Sequence, residues 1–171
     1  MHNMDTLFSS KKQDWTTPKD LFDTLNNEFH FTLDPCCTHE NALCIKHYTE
    51  AENGLVKHWT NEIVFCNPPY NNIEAWARKC AVEYFFNAVT VVMLVPARTD
   101  TKWFHNWVLP YARSIRFIKG RLHFGGANSA PFPSILVIYT PKRINSLENY
   151  IEANDLEWVN ASNISQSIII D

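Results

Sequence analysis

A chain of 171 residues is long enough for one compact domain with its own core and leaves little room for a second. Its 46% hydrophobic and 19% charged residues are a globular balance. No apolar run nears the ~20 residues a bilayer span needs, and the N-terminus lacks the apolar stretch of a secretion signal, so a cytoplasmic protein with no membrane partner is expected. The net charge of −3 excludes a uniformly basic nucleic-acid binder, yet the charge is uneven: residues 98–143 hold eight Lys or Arg against one acid, net +7, while residues 1–97 hold seven against twelve. That basic segment is either a polyanion contact or an ordinary solvated face. Five cysteines, an odd number with no regular spacing, read as free thiols.

In chain order, Thr17 reads as an N-cap before Pro18 and the acidic first turn at Asp20, opening a helix through Phe29 with Leu21, Phe22, Leu25 and Phe29 on its apolar stripe. A short β-prone run, 30–33, stops at Asp34-Pro35 and puts Asp34 at a strand's carboxyl end. A second helix is expected over 40–48. The run 62–66 is a buried-strand pattern halted by Asn67-Pro68-Pro69-Tyr70, since two prolines can neither donate to a ladder nor continue it. Residues 73–86 form an amphipathic helical pattern, and 89–95 a continuous apolar strand ended by Pro96. A helix over 101–108 and strands over 114–118 and 134–139 follow. Strands alternating with helices and finishing in strands describe an α/β fold: a mostly parallel sheet with an antiparallel C-terminal strand and helices on both faces. Ligands of such sheets bind beyond the strands' carboxyl ends, where Asp34 and Asn67 lie.

Asn67-Pro68-Pro69-Tyr70 carries the chemistry. The nitrogen of an exocyclic amino group such as adenine N6 is a poor nucleophile, because its lone pair is delocalised into the ring. The Asn67 side-chain oxygen and the Pro68 carbonyl can each accept one of its hydrogens and favour the pyramidal nitrogen that develops during attack on a methyl group. Pro68 and Pro69 fix φ and remove donors, so carbonyls face the site, and Tyr70 offers a face for stacking. Cys36, Cys37, His39, Cys44 and His47 are metal-ligand types, but they lack the paired spacing of a zinc site, and no metal is expected.

The tetrapeptide resembles the signature of S-adenosylmethionine-dependent methyltransferases acting on planar amino nitrogens. The wider pattern is similar to the bacteriophage-type DNA N6-adenine methyltransferase family, the Dam-like group. It consists of Trp15-Thr16-Thr17-Pro18, Leu33-Asp34-Pro35-Cys36, Phe65 to Tyr70, Pro96 to Thr101 and Gly120-Arg121-Leu122-His123-Phe124. The resemblance spans roughly residues 14–140 and implies a compact Rossmann-like methyltransferase domain over 1–143, followed by an acidic tail over 144–171. It implies S-adenosylmethionine as cofactor, double-stranded DNA as partner, a bacterial host cytoplasm, a monomer or homodimer, and a role such as restriction evasion.

The resemblance also implies roles. Trp15, Thr16, Thr17 and Pro18 pack beside the cofactor, although an ordinary helix cap is equally compatible. Asp34, Pro35 and Cys36 meet its methionine part, with Asp34 on the α-amino group, and Asn67 borders it. The usual glycine-rich loop is replaced by Cys37-Thr38-His39, and the next glycine is Gly54. Ribose contacts are therefore sought in 50–55. On the DNA side an adenine must be extruded from the duplex before it can react. Tyr70 and Phe124 would cover it, with a core side chain as the second reading of Phe124, and Arg98, Lys102 and Arg121, with Arg116 and Lys119 nearby, would meet the backbone. The loop 125–130 is the expected mobile element. Alternatives are methylation of RNA or of a protein glutamine, or a catalytically silent DNA-binding relative.

Overall fold

The computed structural model describes residues 16–124, 129–141 and 156–160. Proline at 18 disfavours helical backbone at Thr17, so the first helix, α1 (Lys19–Phe29), starts just after it. Pro18 itself occupies the cap position, and no side chain caps the helix. The expectation that Thr17 would cap is corrected: its hydroxyl is used elsewhere. The helix ends at His30, whose left-handed backbone (φ 59°) sends its N–H to the Asn26 carbonyl, while the Asn26 side chain accepts the Phe31 N–H at 2.8 Å.

The strands are β1 (Leu33–Asp34), β2 (Lys46–His47), β3 (Ile63–Cys66), β4 (Thr90–Pro96), β5 (Ser114–Ile118), β6 (Ser134–Tyr139) and β7 (Leu156–Asn160). They form one sheet in the order β2-β1-β3-β4-β6-β5-β7. The pairs from β2 to β4 are parallel, whereas β6 runs antiparallel to both β4 and β5, and β7 is antiparallel to β5. Five of the seven strands thus point one way, and the antiparallel members gather at one side of the sheet. β7 comes from the stretch read as a tail and adds an edge strand.

The helix expected over 40–48 is not formed. Thr38 and Asn41 bond each other's backbone N–H through their side chains, at 2.7 and 3.3 Å, and fix a turn instead. Asp34 Oδ2 takes the Leu43 N–H at 3.2 Å, and the Tyr48 N–H closes on the Asp34 carbonyl at 2.9 Å, which pulls β2 alongside β1. Local helical propensity is outbid by tertiary partners for the same backbone groups.

Alternation along the central strands builds two cores. Val64, Cys66, Val91, Met93, Val95, Ile135, Val137 and Tyr139 face one side, while Phe65, Val92, Leu94, Leu136 and Ile138 face the other. The second helix, α2 (Ile73–Asn87), covers the first side with Trp76, Ala77, Cys80 and Ala81. A widened helical turn at Phe104–Val108 adds to that cover, the Leu109 N–H reaching back to the Phe104 carbonyl. Phe22 and Leu25 of α1 cover the second side. With helices on both faces, all seven residues of β4 are buried, which is why its sequence reads as an unbroken apolar run.

Among the basic residues, Arg116 departs from the expectation of a backbone contact. It is fully buried, and its guanidinium makes a two-pronged ion pair with Glu28 at 2.6 and 2.8 Å while lying over the Phe29 ring. A strand position facing α1 encloses the cation, and the Glu28 carboxylate of that helix takes it up. It fastens α1 to β5 and cannot reach DNA.

Candidate active site

β1 and β3 are parallel neighbours, so Asp34 and Asn67 emerge at the same edge of the sheet. A cleft of about 720 Å³ opens there, lined by Thr16, Thr17, Asp34 to Thr38, Asn67 to Pro69 and the segment after β2. Its size suits a nucleoside-sized ligand. Two of the expected cofactor segments therefore meet at the cleft, from sequence positions far apart; Pro18 lies just behind Thr17, and Trp15 lies outside the described residues.

Asp34 is 4% exposed. Burial pushes its carboxyl above the ordinary range, while the backbone N–H groups of Leu43 and Cys36 act in the opposite direction. Each carboxylate oxygen takes only one of those N–H groups, so acceptor capacity remains at the cleft wall. The Cys36 and Cys66 sulfurs sit 3.7 Å apart beneath it, and burial raises both thiols. Such thiols pack as small apolar groups.

The segment after β2 supplies the opposite wall with Thr49, Glu50, Asn53, Gly54 and Leu55. Glutamate at 52 caps the turn by accepting the Thr49 N–H at 2.9 Å. Gly54 lies so close to the Pro35 carbonyl that a β-carbon there would stand 2.1 Å from its oxygen. Its own carbonyl accepts the buried Trp59 indole N–H at 3.1 Å. The two walls are thus locked together by a close backbone approach, a role that a glycine-rich loop plays elsewhere. The sequence signal was a lone glycine after Asn53, ahead of Leu55 and Val56. Its partner at Pro35 was not readable.

In the Asn67-Pro68-Pro69-Tyr70 turn, Asn72 N–H closes on the Pro69 carbonyl at 3.1 Å, and the Pro68 carbonyl lies outside that closure. Asn67 Nδ2 donates to Thr17 Oγ1 at 2.9 Å, and the Tyr70 hydroxyl donates to Asn67 Oδ1 at 3.4 Å. Asn67 therefore borders the cleft while its amide oxygen meets the Tyr70 hydroxyl. Burial raises the Tyr70 phenol, which stays neutral. Its ring meets Phe132 edge-on at 5.5 Å, and Phe132 in turn meets Phe124 at 6.4 Å. Phe124 is 6% exposed and belongs to the core over α1, whereas Phe132 is half-buried. Phe132 was missed in the sequence, although an aromatic between Pro131 and Pro133 just before a strand was a signal.

Arg98, Lys102 and Arg121 are exposed. Arg98 and Lys102 follow β4 at the edge where Asn67 lies, and Arg121 follows β5, which runs in the same direction. His39 and His47 hydrogen-bond each other at 2.9 Å on the outer side of the cleft. No described helix is long and apolar enough to cross a membrane.

Parallel strands thus end on a ligand-sized cleft with an asparagine amide on its rim. The chain belongs to the DNA N-6-adenine-methyltransferase (Dam) family, whose model matches residues 5–166. It is 27% identical over 150 residues to the DNA N-6-adenine-methyltransferase of Haemophilus phage HP1, covering 81% of this chain and 87% of that one. It is 33% identical over 92 residues to the DNA N-6-adenine-methyltransferase of Escherichia phage T1, covering 53% of this chain and 38% of that longer protein. A putative methyltransferase of Escherichia coli strain K12, YfdM, is 35% identical over 63 residues, covering 33% of this chain and 69% of that one.

Proposed function

We propose that the chain transfers a methyl group from S-adenosylmethionine to the N6 amino group of an adenine turned out of double-stranded DNA, on a compact Rossmann-like methyltransferase fold. The observation that carries the reading is the place of Asn67, between a cleft of cofactor size and the Tyr70–Phe132 aromatic pair. The family match supports the reaction and the polymer.

The residues present fit the cofactor. Buried Asp34 keeps acceptor capacity at the cleft wall, which suits an α-ammonium, and exposed Glu50 at the opposite wall suits ribose hydroxyls. Thr16, Thr17, Pro35 and Cys36 line the cleft together with Asp34, and Pro18 follows Thr17 in the chain. When bound, S-adenosylmethionine supplies an electrophilic methyl on a sulfonium centre. The protein's part is to present the nucleophile. Asn67 Oδ1 and the Pro68 carbonyl accept the two N6 hydrogens, which draws the lone pair out of the ring and holds it in line. Pro69 fixes φ and brings no N–H donor to the turn, and Tyr70 stacks on the base with Phe132 against its ring and Phe124 against Phe132. Arg98, Lys102 and Arg121 hold the DNA backbone and carry no base information. Extrusion costs a few kcal/mol, which stacking offsets in part.

The test is expression in a host free of DNA methylation, followed by sequencing that detects N6-methyladenine. Wild-type protein should mark one short sequence and Asn67→Ala none. Methyl groups found only in RNA or protein would reject the polymer.

A further inference from the structure

We propose that Thr17 is a positioning residue: it holds the Asn67 carboxamide with its nitrogen turned away from the substrate amino group, and ties that orientation to occupancy of the cleft. The inference rests on the reading of Asn67 as the acceptor of the N6 hydrogens.

A carboxamide is nearly two-fold about its last torsion, so it can present either an acceptor oxygen or a donor NH2 in the same place. Toward an amino group the first attracts and the second repels. Something must therefore select the sense. The Tyr70 hydroxyl lies 3.4 Å from Oδ1, long for such a bond and weak as a restraint. The bond from Nδ2 to Thr17 Oγ1, at 2.9 Å, is the shorter of these two, and it spans 50 residues of sequence.

Thr17 is built for this. It is 6% exposed, its β-branched side chain is stiff about the first torsion, and Pro18 restricts its backbone. A hydroxyl alone could bond the amide in either sense, by accepting from Nδ2 or by donating to Oδ1. What decides is where its own proton goes. Thr17 lines the cleft, and among the described residues no other group takes that proton. An acceptor bound in the cleft, such as the carboxylate end of an amino-acid ligand, takes it and leaves Thr17 only lone pairs to offer. Nδ2 is then fixed on Thr17 and Oδ1 faces the substrate. Filling the cleft thus sets the amide before the base arrives.

Thr17→Val keeps the shape and removes the hydroxyl, and Thr17→Ser returns it. For Thr17→Val at saturating cofactor, kcat should fall by on the order of tenfold or more with KM for DNA little changed, and Ser should restore most of it. A spectroscopic readout is independent of turnover. In wild-type protein the Asn67 side-chain NH2 should be protected from water exchange relative to exposed Asn71, and should shift when S-adenosylhomocysteine is added. Wild-type kcat in Thr17→Val, a defect that disappears at saturating cofactor, or an Asn67 NH2 that exchanges as fast as that of Asn71, overturns the inference. Because the last measurement uses wild-type protein, a variant that fails to fold does not protect the proposal. Asn67→Ala separates the two claims. If it is inactive while Thr17→Val is fully active, only the positioning role fails, whereas an active Asn67→Ala removes the acceptor reading and the inference with it.

Discussion

Asn67, Asp34 and the aromatic trio each make a distinct demand. Asn67→Ala removes an acceptor that works on the developing transition state, so methyl transfer should be abolished with the melting temperature almost unchanged; radiolabel transfer and a thermal melt check both halves. Tyr70→Ala and Phe132→Ala should each weaken capture of an extruded base by roughly 1–3 kcal/mol, read by 2-aminopurine fluorescence. Phe124→Ala should behave differently. Its ring is 6% exposed in the core, so the larger effect is a stability loss of about 3–5 kcal/mol.

The buried Asp34 carboxyl gives a pH signature. Burial favours its neutral form, so the stability that this form brings is complete below the ordinary carboxylate pKa and is lost as pH rises through Asp34's own raised value. A cation bound against it has the opposite preference. Affinity for S-adenosylhomocysteine, which carries an α-ammonium, should therefore rise as pH climbs through that range. In Asp34→Asn, calorimetry should find weak binding with little dependence on pH over the same interval. An identical pH curve in the two proteins would remove Asp34 from the ammonium site.

At the scale of elements, the cleft depends on how closely the segment after β2 approaches the turn after β1. Gly54→Ala must push its methyl against the Pro35 oxygen, which is backbone and cannot swing aside. The walls should part, and cofactor affinity should fall by tenfold or more in calorimetry (about 1.4 kcal/mol), while the central strands retain their hydrogen-exchange protection. The strongest elements were legible beforehand because their signals are local: the apolar run of β4, the halt of β3 at two prolines, the stripe of α1. The segment 40–48 was not, because the reciprocal Thr38–Asn41 bonds set a turn at its start and the Asp34 side chain, on another element, takes the Leu43 N–H. The site shows the same division. Its tetrapeptide could be read from adjacent residues, but the link from Thr17 to Asn67 joins positions 50 apart, and Thr17 carried an obvious local role as a cap that it does not play.

For the molecule as a whole, charge decides how DNA approaches. A net −3 chain that binds a polyanion must do so through a restricted basic surface, and Arg98, Lys102 and Arg121 are exposed members of the basic segment. Replacing each by Ala should reduce the slope of log affinity against log salt by about 1, uniformly across DNA sequences. Charge counting alone could not separate these residues from Arg116, since position in the chain does not reveal enclosure.

Arg116 and Glu28 bear on how the sequence can change over generations. Neither can be lost alone without leaving its partner enclosed and unpaired, at about 3–5 kcal/mol, a large share of a domain's total stability of roughly 5–15 kcal/mol. The double replacement by well-packed apolar residues is close to neutral. A lineage should therefore inherit both residues or neither, crossing between the two states through a barely viable intermediate. Since α1 starts two residues after Thr17 and carries the Glu28 clasp in its last turn, such an intermediate should lose methylation before it unfolds.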